Sequence, residues 1–193
     1  MSITGGAELI AERRRLVETM ESLSDEEFET GRTLCAGWAP RDVLAHVLGV
    51  DRPAAYARFA GRVNAANAAI VAQARARTRD ELLQAAREWA THPSASARAA
   101  AHFLVGDVAM HHQDVLRGLG RTREIPTDAA AAMFREGIVL STGTKRNLLR
   151  YKVIPSTVGG FRIGRGRAVQ GTTEALALWL AGRKGLDGEL RFY

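Results

Sequence analysis

One helix-forming stretch, from about Ser96 to Leu119 with a glycine-rich stop at the "GLG" of residues 118–120, does most to limit what this chain can become. A helix draws most of its stability from packing an apolar face, so a stretch of this length needs companions. The sequence supplies them. Leu9, Ile10, Leu16, Val17, Met20 and Leu23 recur at helical spacing with charges between them and predict an amphipathic helix over about 7–22. Ser24 with Glu27 and Thr78 with Glu81 have capping-box spacing; the first opens a short helical turn and the second a helix through Trp89 that stops before "THPSAS". Pro40, a favoured first helical residue, opens a helix to about Gly49.

Residues 53–77, rich in alanine and arginine, carry Tyr56, Phe59, Val63, Ile70 and Val71 as their larger apolar anchors and read as one or two helices. A further helix begins near Thr127. After residue 142 the texture changes. "YKVIPSTVGGFRIGRGRAVQG" reads as turns with one or two short strands, including a hairpin-like turn at Gly164 and Gly166, and "TTEALALWLAG" closes as a helix with Gly182 near its C-cap. The expected architecture is mainly α: a helical bundle over 1–142, followed by a small C-terminal α/β extension over 143–193.

Hydrophobic residues make up 46% of the 193 residues and charged residues 25%, and the apolar runs are far shorter than the roughly 20 residues of a membrane span. The opening "MSITGGAELIAERRRL" lacks the basic start and apolar run of a secretory signal, so the cytoplasm is the expected compartment. A single cysteine, Cys35, fits a reducing compartment and reads as a small apolar filler, with a nucleophilic role as the alternative. The net charge of +6 would permit nucleic-acid binding, but the arginines are dispersed along helical segments as a solvated face disperses them. Only "RIGRGR", residues 162–167, is dense, and it lacks interleaved aromatics.

Chemistry concentrates in "GDVAMHHQDVLRGLG", residues 106–120. Asp107 and His111 lie four apart and share a helix face, while His112 is rotated about 100° from His111. With 21 acids in the chain such spacing arises by chance, and Asp42 and His46 form a second pair, so a metal site and a hydrogen-bonded core histidine both stay open. His46 sits among Leu44, Ala45, Val47 and Leu48, where a histidine is buried and paired or is a ligand. Asp114, three residues after His111, either accepts that ring's second N–H or pairs with Arg117 or Arg41. Trp38 reads as a core anchor at the entry to its helix.

The stretches "TLCAGWAPRDVLAHVLGVD" (33–51), "GDVAMHHQDVLRGLGRTREIP" (106–126) and "GRAVQGTTEALALWLAGR" (166–183) together resemble the N-terminal domain family of mycothiol-dependent maleylpyruvate isomerase, within the DinB-like four-helix bundles. That resemblance implies three metal ligands, His46, Asp107 and His111, around a divalent ion: zinc as the usual metal, with nickel or another divalent ion also suited to the set. It departs at Asp107, where the isomerases carry glutamate, and at Leu116 and Gly118, which replace residues that are commonly Arg and Pro. The implied function is a metal-dependent isomerase or S-transferase in which the ion activates a low-molecular-weight thiol such as mycothiol, or water, against a small electrophile. His112 and Asp114 are candidates for the pocket around the ligands, and Arg162, Arg165 and Arg167 for substrate anions, although a solvated basic turn is the plainer reading of these three. Because that enzyme's larger C-terminal domain contributes to its active site, a related reaction is expected rather than maleylpyruvate isomerisation itself. A homodimer is one assembly open to the chain. The alternatives are a non-catalytic metal-binding or stress-response module and, less favoured, a basic nucleic-acid-binding regulator.

Overall fold

The structure, a computed structural model, describes residues 6–51, 59, 62–156 and 162–193. The elements run α1 (Gly6–Ser22), α2 (Asp25–Thr30), α3 (Pro40–Val50), α4 (Val63–Ala74), α5 (Arg79–Thr91), α6 (Ala95–Ala99), α7 (Ala101–Gly118), α8 (Thr127–Leu140), β1 (Tyr151–Pro155), β2 (Ile163–Gly164), β3 (Arg167–Gly171), α9 (Thr173–Leu180) and β4 (Arg191–Phe192). The fold is therefore mainly helical with a small C-terminal sheet, as expected. Among the described residues, no helix is long and apolar enough to cross a membrane.

Local signals account for the helix starts. Ser24 and Thr78 each accept the backbone N–H three residues on, while Glu27 and Glu81 accept the N–H of Ser24 and Thr78 in return. Pro40 opens α3, and Asp42 accepts the N–H of Ala39 at 3.1 Å. The expected single helix over 96–119 is two, because Ala100 leaves helical geometry at φ −96°, ψ 8° between α6 and α7. Tyr56, expected to anchor a helix in 53–77, lies outside the described residues.

Contacts divide the chain into two units. The first comprises Met1–Leu104 and His111–Arg123, the second Val105–Met110 and Glu124–Tyr193, so that α7 runs unbroken through both. Within the first unit α1 packs on α5, and α3 packs on α2, α4 and α5. Leu9, Leu16, Met20, Phe28, Leu44 and Leu82 are fully buried there. Arg13, with no exposed surface, is enclosed by this packing. It donates to both carboxylate oxygens of Asp51 at 2.7 Å and to the carbonyl of Trp89 at 3.0 Å, and lies 4.2 Å from the Trp89 ring centre. A buried guanidinium is tolerable only with such partners.

In the second unit α8 packs against α9, with Gly137 close enough that a Cβ there would sit 2.7 Å from the carbonyl of Ala177. These contacts group α8 with the C-terminal tail. Among the described residues the sheet has four strands, more than expected, in the order β2-β1-β3-β4, with β1 and β3 parallel and the other pairs antiparallel. Gly164 and Gly166 do not make a hairpin turn, since β1 lies between β2 and β3. Both have positive φ, and a Cβ on either would overlap the carbonyl of Tyr151 or Arg150, so glycine there allows close passage along β1.

One close approach shapes the first unit. A Cβ on Gly118 would overlap the Arg32 carbonyl and the Thr33 Cα, so the end of α7 and the 31–39 loop touch backbone to backbone. Gly118→Ala is expected to cost about 1–3 kcal/mol in a denaturant melt. Gly143→Ala, where the added carbon meets nothing within 4 Å, should leave the midpoint near wild type. Equal midpoints for the two variants would contradict this packing.

Candidate metal centre

Two helices deliver the histidines. His46 is on α3, between Ala45 and Val47 in a buried run, and is 5% exposed; His111 is on α7 and is 7% exposed. Their ring centres are 4.6 Å apart, edge to face, and both belong to the first unit. Trp38 lies over the pair, its ring centre 5.2 Å from that of His46 and 6.3 Å from that of His111. Expected as a core anchor, Trp38 is instead half-buried and covers the two imidazoles. Asp107 is one turn before His111 on the same continuous helix, so the helix itself sets their spacing.

Asp114 is fully buried. Its Oδ2 is 3.0 Å from His111 Nδ1. A ring that donates its Nδ1–H to a carboxylate keeps the lone pair on Nε2, the tautomer a metal ligand needs. Arg41, one of the alternative partners considered for Asp114, instead reaches Glu29 and donates to the Arg77 carbonyl at 2.8 Å.

His112 belongs to another cluster. It is 1% exposed, with Nδ1 3.2 Å from Glu12 Oε1 and Nε2 2.8 Å from Thr19 Oγ1. Glu12 on α1 also receives Arg123, and Arg15 at 2.8 Å. Burial holds the His112 imidazole below its ordinary pKa against the opposing pull of Glu12, so it is neutral near pH 7, donating to Glu12 and accepting from Thr19. Burial raises the Glu12 carboxyl, but its bonds to His112 and Arg123 outweigh this and bring it to about 2. Sequence reasoning did not find this cluster, because Glu12 and His112 are 100 residues apart.

Cys35, expected as a small apolar filler, is set differently. Its thiol donates to Asp114 Oδ2 at 3.0 Å and lies 3.6 Å from His111 Nδ1, a polar setting rather than that of an apolar filler. Cys35 and Trp38 line a groove of about 430 Å³ together with Thr33, Asp42 and Arg32. In the second unit Arg162, Arg165 and Arg167 are exposed, with Arg167 stacked 5.3 Å over Phe192.

Residues 9–102 match the family model described as the mycothiol maleylpyruvate isomerase N-terminal domain. Two crystal structures are similar in fold: the mycothiol-dependent maleylpyruvate isomerase, with a TM-score of 0.68, and a histidine-to-alanine mutant of it, with 0.69. Each is 14% identical in sequence, and each alignment covers 96% of this chain and 90% of the other. No curated protein matches. The alignments therefore run through nearly all of this chain, its C-terminal tail included, and through most of the other.

The Glu12 cluster should show in the acid limb of stability. A carboxyl near 4.5 unfolded and about 2 folded binds fewer protons in the native state, so its contribution is complete above pH 4.5 and is lost as pH falls toward 2. The whole effect is about 3 kcal/mol. Denaturant melts across that window should fall steeply for wild type and more shallowly for Glu12→Gln; parallel slopes would refute it.

Proposed function

We propose that this chain, whose residues 9–102 match the mycothiol maleylpyruvate isomerase N-terminal domain family, is a metal-dependent enzyme of the thiol-dependent isomerase or S-transferase type. The observation that carries this reading is the approach of the His46 and His111 rings to 4.6 Å with Asp107 one turn away on α7. Two imidazoles and a carboxylate suit a divalent ion, zinc first, and leave coordination positions open, as catalytic sites require. His46, Asp107 and His111 would hold it. When bound, the ion supplies a positive charge that favours the thiolate form of a low-molecular-weight thiol, such as mycothiol, at neutral pH.

The protein's own groups then have separable tasks. Asp114 fixes the His111 tautomer by accepting the Nδ1–H. Trp38 keeps water from one side of the histidine pair. The groove beside Cys35 and Trp38 has the volume for a small organic electrophile, and Arg32, the one basic side chain among its described lining residues, offers a partner to a carboxylate. In the isomerase form of the reaction, thiolate adds to one carbon of an activated double bond, the new single bond rotates, and elimination returns both thiol and alkene. In the transferase form the C–S bond persists. Because the shared fold extends through the tail, maleylpyruvate itself is the first substrate to try. A cytoplasmic setting, where a lone thiol stays reduced, accompanies this reading.

Metal analysis of protein purified without chelator should find about one divalent ion per chain, lost in His111→Ala and, with Cys35 also replaced by serine, in His46→Ala. With mycothiol and maleylpyruvate, the loaded protein should turn over and both variants should not. Metal-free wild type would refute the reading. Bound metal without turnover on any electrophile tried would leave a non-catalytic metal-binding module.

A further inference from the structure

We propose that Cys35, His111 and Asp114 form a second, thiophilic cation site that competes with the His46, Asp107 and His111 set for one imidazole. The three side chains come from the 31–39 loop and from successive turns of α7, and all lie in the first unit. One donor atom from each lies within 4.8 Å of the others. Cys35 Sγ to Asp114 Oδ2 and His111 Nδ1 to Asp114 Oδ2 are both 3.0 Å, and Cys35 Sγ to His111 Nδ1 is 3.6 Å. A tetrahedral ion with bonds of about 2.0–2.3 Å sets its donors about 3.3–3.7 Å apart. One edge already has that length, and the two short edges, each spanned by a proton, need to open by only a few tenths of an ångström.

The donors are held in place. Leu34 donates its backbone N–H to the Asp114 carbonyl at 3.0 Å, which ties the residue before the thiol to α7, and Cys35 donates its own to Thr33 Oγ1 at 3.1 Å, which fixes the loop against itself. Asp114 is fully buried and His111 nearly so, while Cys35 lines the groove of about 430 Å³, which gives an ion entry and leaves room for a fourth donor. A thiolate among the ligands selects zinc, cadmium or other thiophilic ions over magnesium, calcium and manganese.

Competition follows from the imidazole. A neutral ring has one lone pair, and a ligand role for Nδ1 requires the proton on Nε2, the atom the other set needs. Occupation at Cys35 forms a metal–sulfur bond and sends the thiol proton to solvent, while the His111 proton moves from Nδ1 to Nε2 through water; nothing is oxidised or reduced. This competition rests on the reading of His46, Asp107 and His111 as ligands. The existence of the Cys35 site does not.

Cadmium titration of chelator-treated, phosphine-reduced protein tests both, read by the ultraviolet sulfur-to-cadmium charge-transfer band. Since Cys35 is the chain's single cysteine, any such band reports on it. The band is expected in wild type and in His46→Ala, absent in Cys35→Ser, and shifted to at least about 10-fold higher cadmium in Asp114→Asn, with magnesium unable to displace it. Circular dichroism confirms that each variant is folded. No band in wild type would overturn the proposal. So would an unchanged titration in folded Asp114→Asn, the mark of an isolated thiol, and so would loss of the band in His46→Ala, which would put the sulfur in the other set. In Cys35→Ser, zinc bound through His46 should no longer be displaced by rising cadmium as it is in wild type; equal displacement would overturn the competition. Zinc that persists in His46→Ala reports on the Cys35 site and should leave when Cys35→Ser is added, whereas zinc held through His46 is lost in His46→Ala and reports on the proposed function.

Discussion

Helix α7 must satisfy two buried polar clusters at once, and the 100° between successive residues lets it do so. His111 and Asp114, three apart, face Cys35. His112, one residue on, turns toward α1, where Glu12 and Thr19 take its two ring nitrogens. A slip of one residue in α7 would exchange the two imidazoles and leave Asp114 and Glu12, neither of which has exposed surface, facing the wrong partners. Leaving a buried charge unpaired costs several kcal/mol, which sets the register of this helix against its neighbours more strongly than apolar contacts that tolerate sliding.

The helices were legible because their signals are local. Two capping boxes, Pro40 at the first helical position and the glycines at the end of α7 each act within a turn. The break at Ala100 was not legible, since "SARAAAHF" is helix-favouring throughout and nothing short-range marks a stop. Nor was the strand order, because the positive-φ glycines at 164 and 166 suit a hairpin as well as the close passage along β1 that the fold uses.

The site divides along the same line. Asp107, His111 and Asp114 share a face by helix geometry and could be aligned from spacing, whereas His46 joined them through a family resemblance, 65 residues away. Cys35 had neither aid. Its partner Asp114 is 79 residues distant, and a lone cysteine among small residues carries no signature of a polar environment. Glu12 and His112 were hidden likewise: a glutamate in an amphipathic helix reads as solvated until the fold brings an imidazole and two guanidinium groups to it.

Gly118 has more to do than stop a helix. With no side chain there, the Arg32 carbonyl and the Thr33 Cα can press against the end of α7, and the next residues of the loop reach the previous turn, where Leu34 donates to the Asp114 carbonyl and Cys35 to the Asp114 carboxylate. Any Cβ at 118 must push residues 32 and 33 outward, and the thiol follows them through only two peptide units. A contact of 3.0 Å cannot absorb a shift of about 1 Å and remain a hydrogen bond. The glycine that replaces a residue commonly proline in the resembling family is therefore what lets this loop set a thiol against the carboxylate that orients His111.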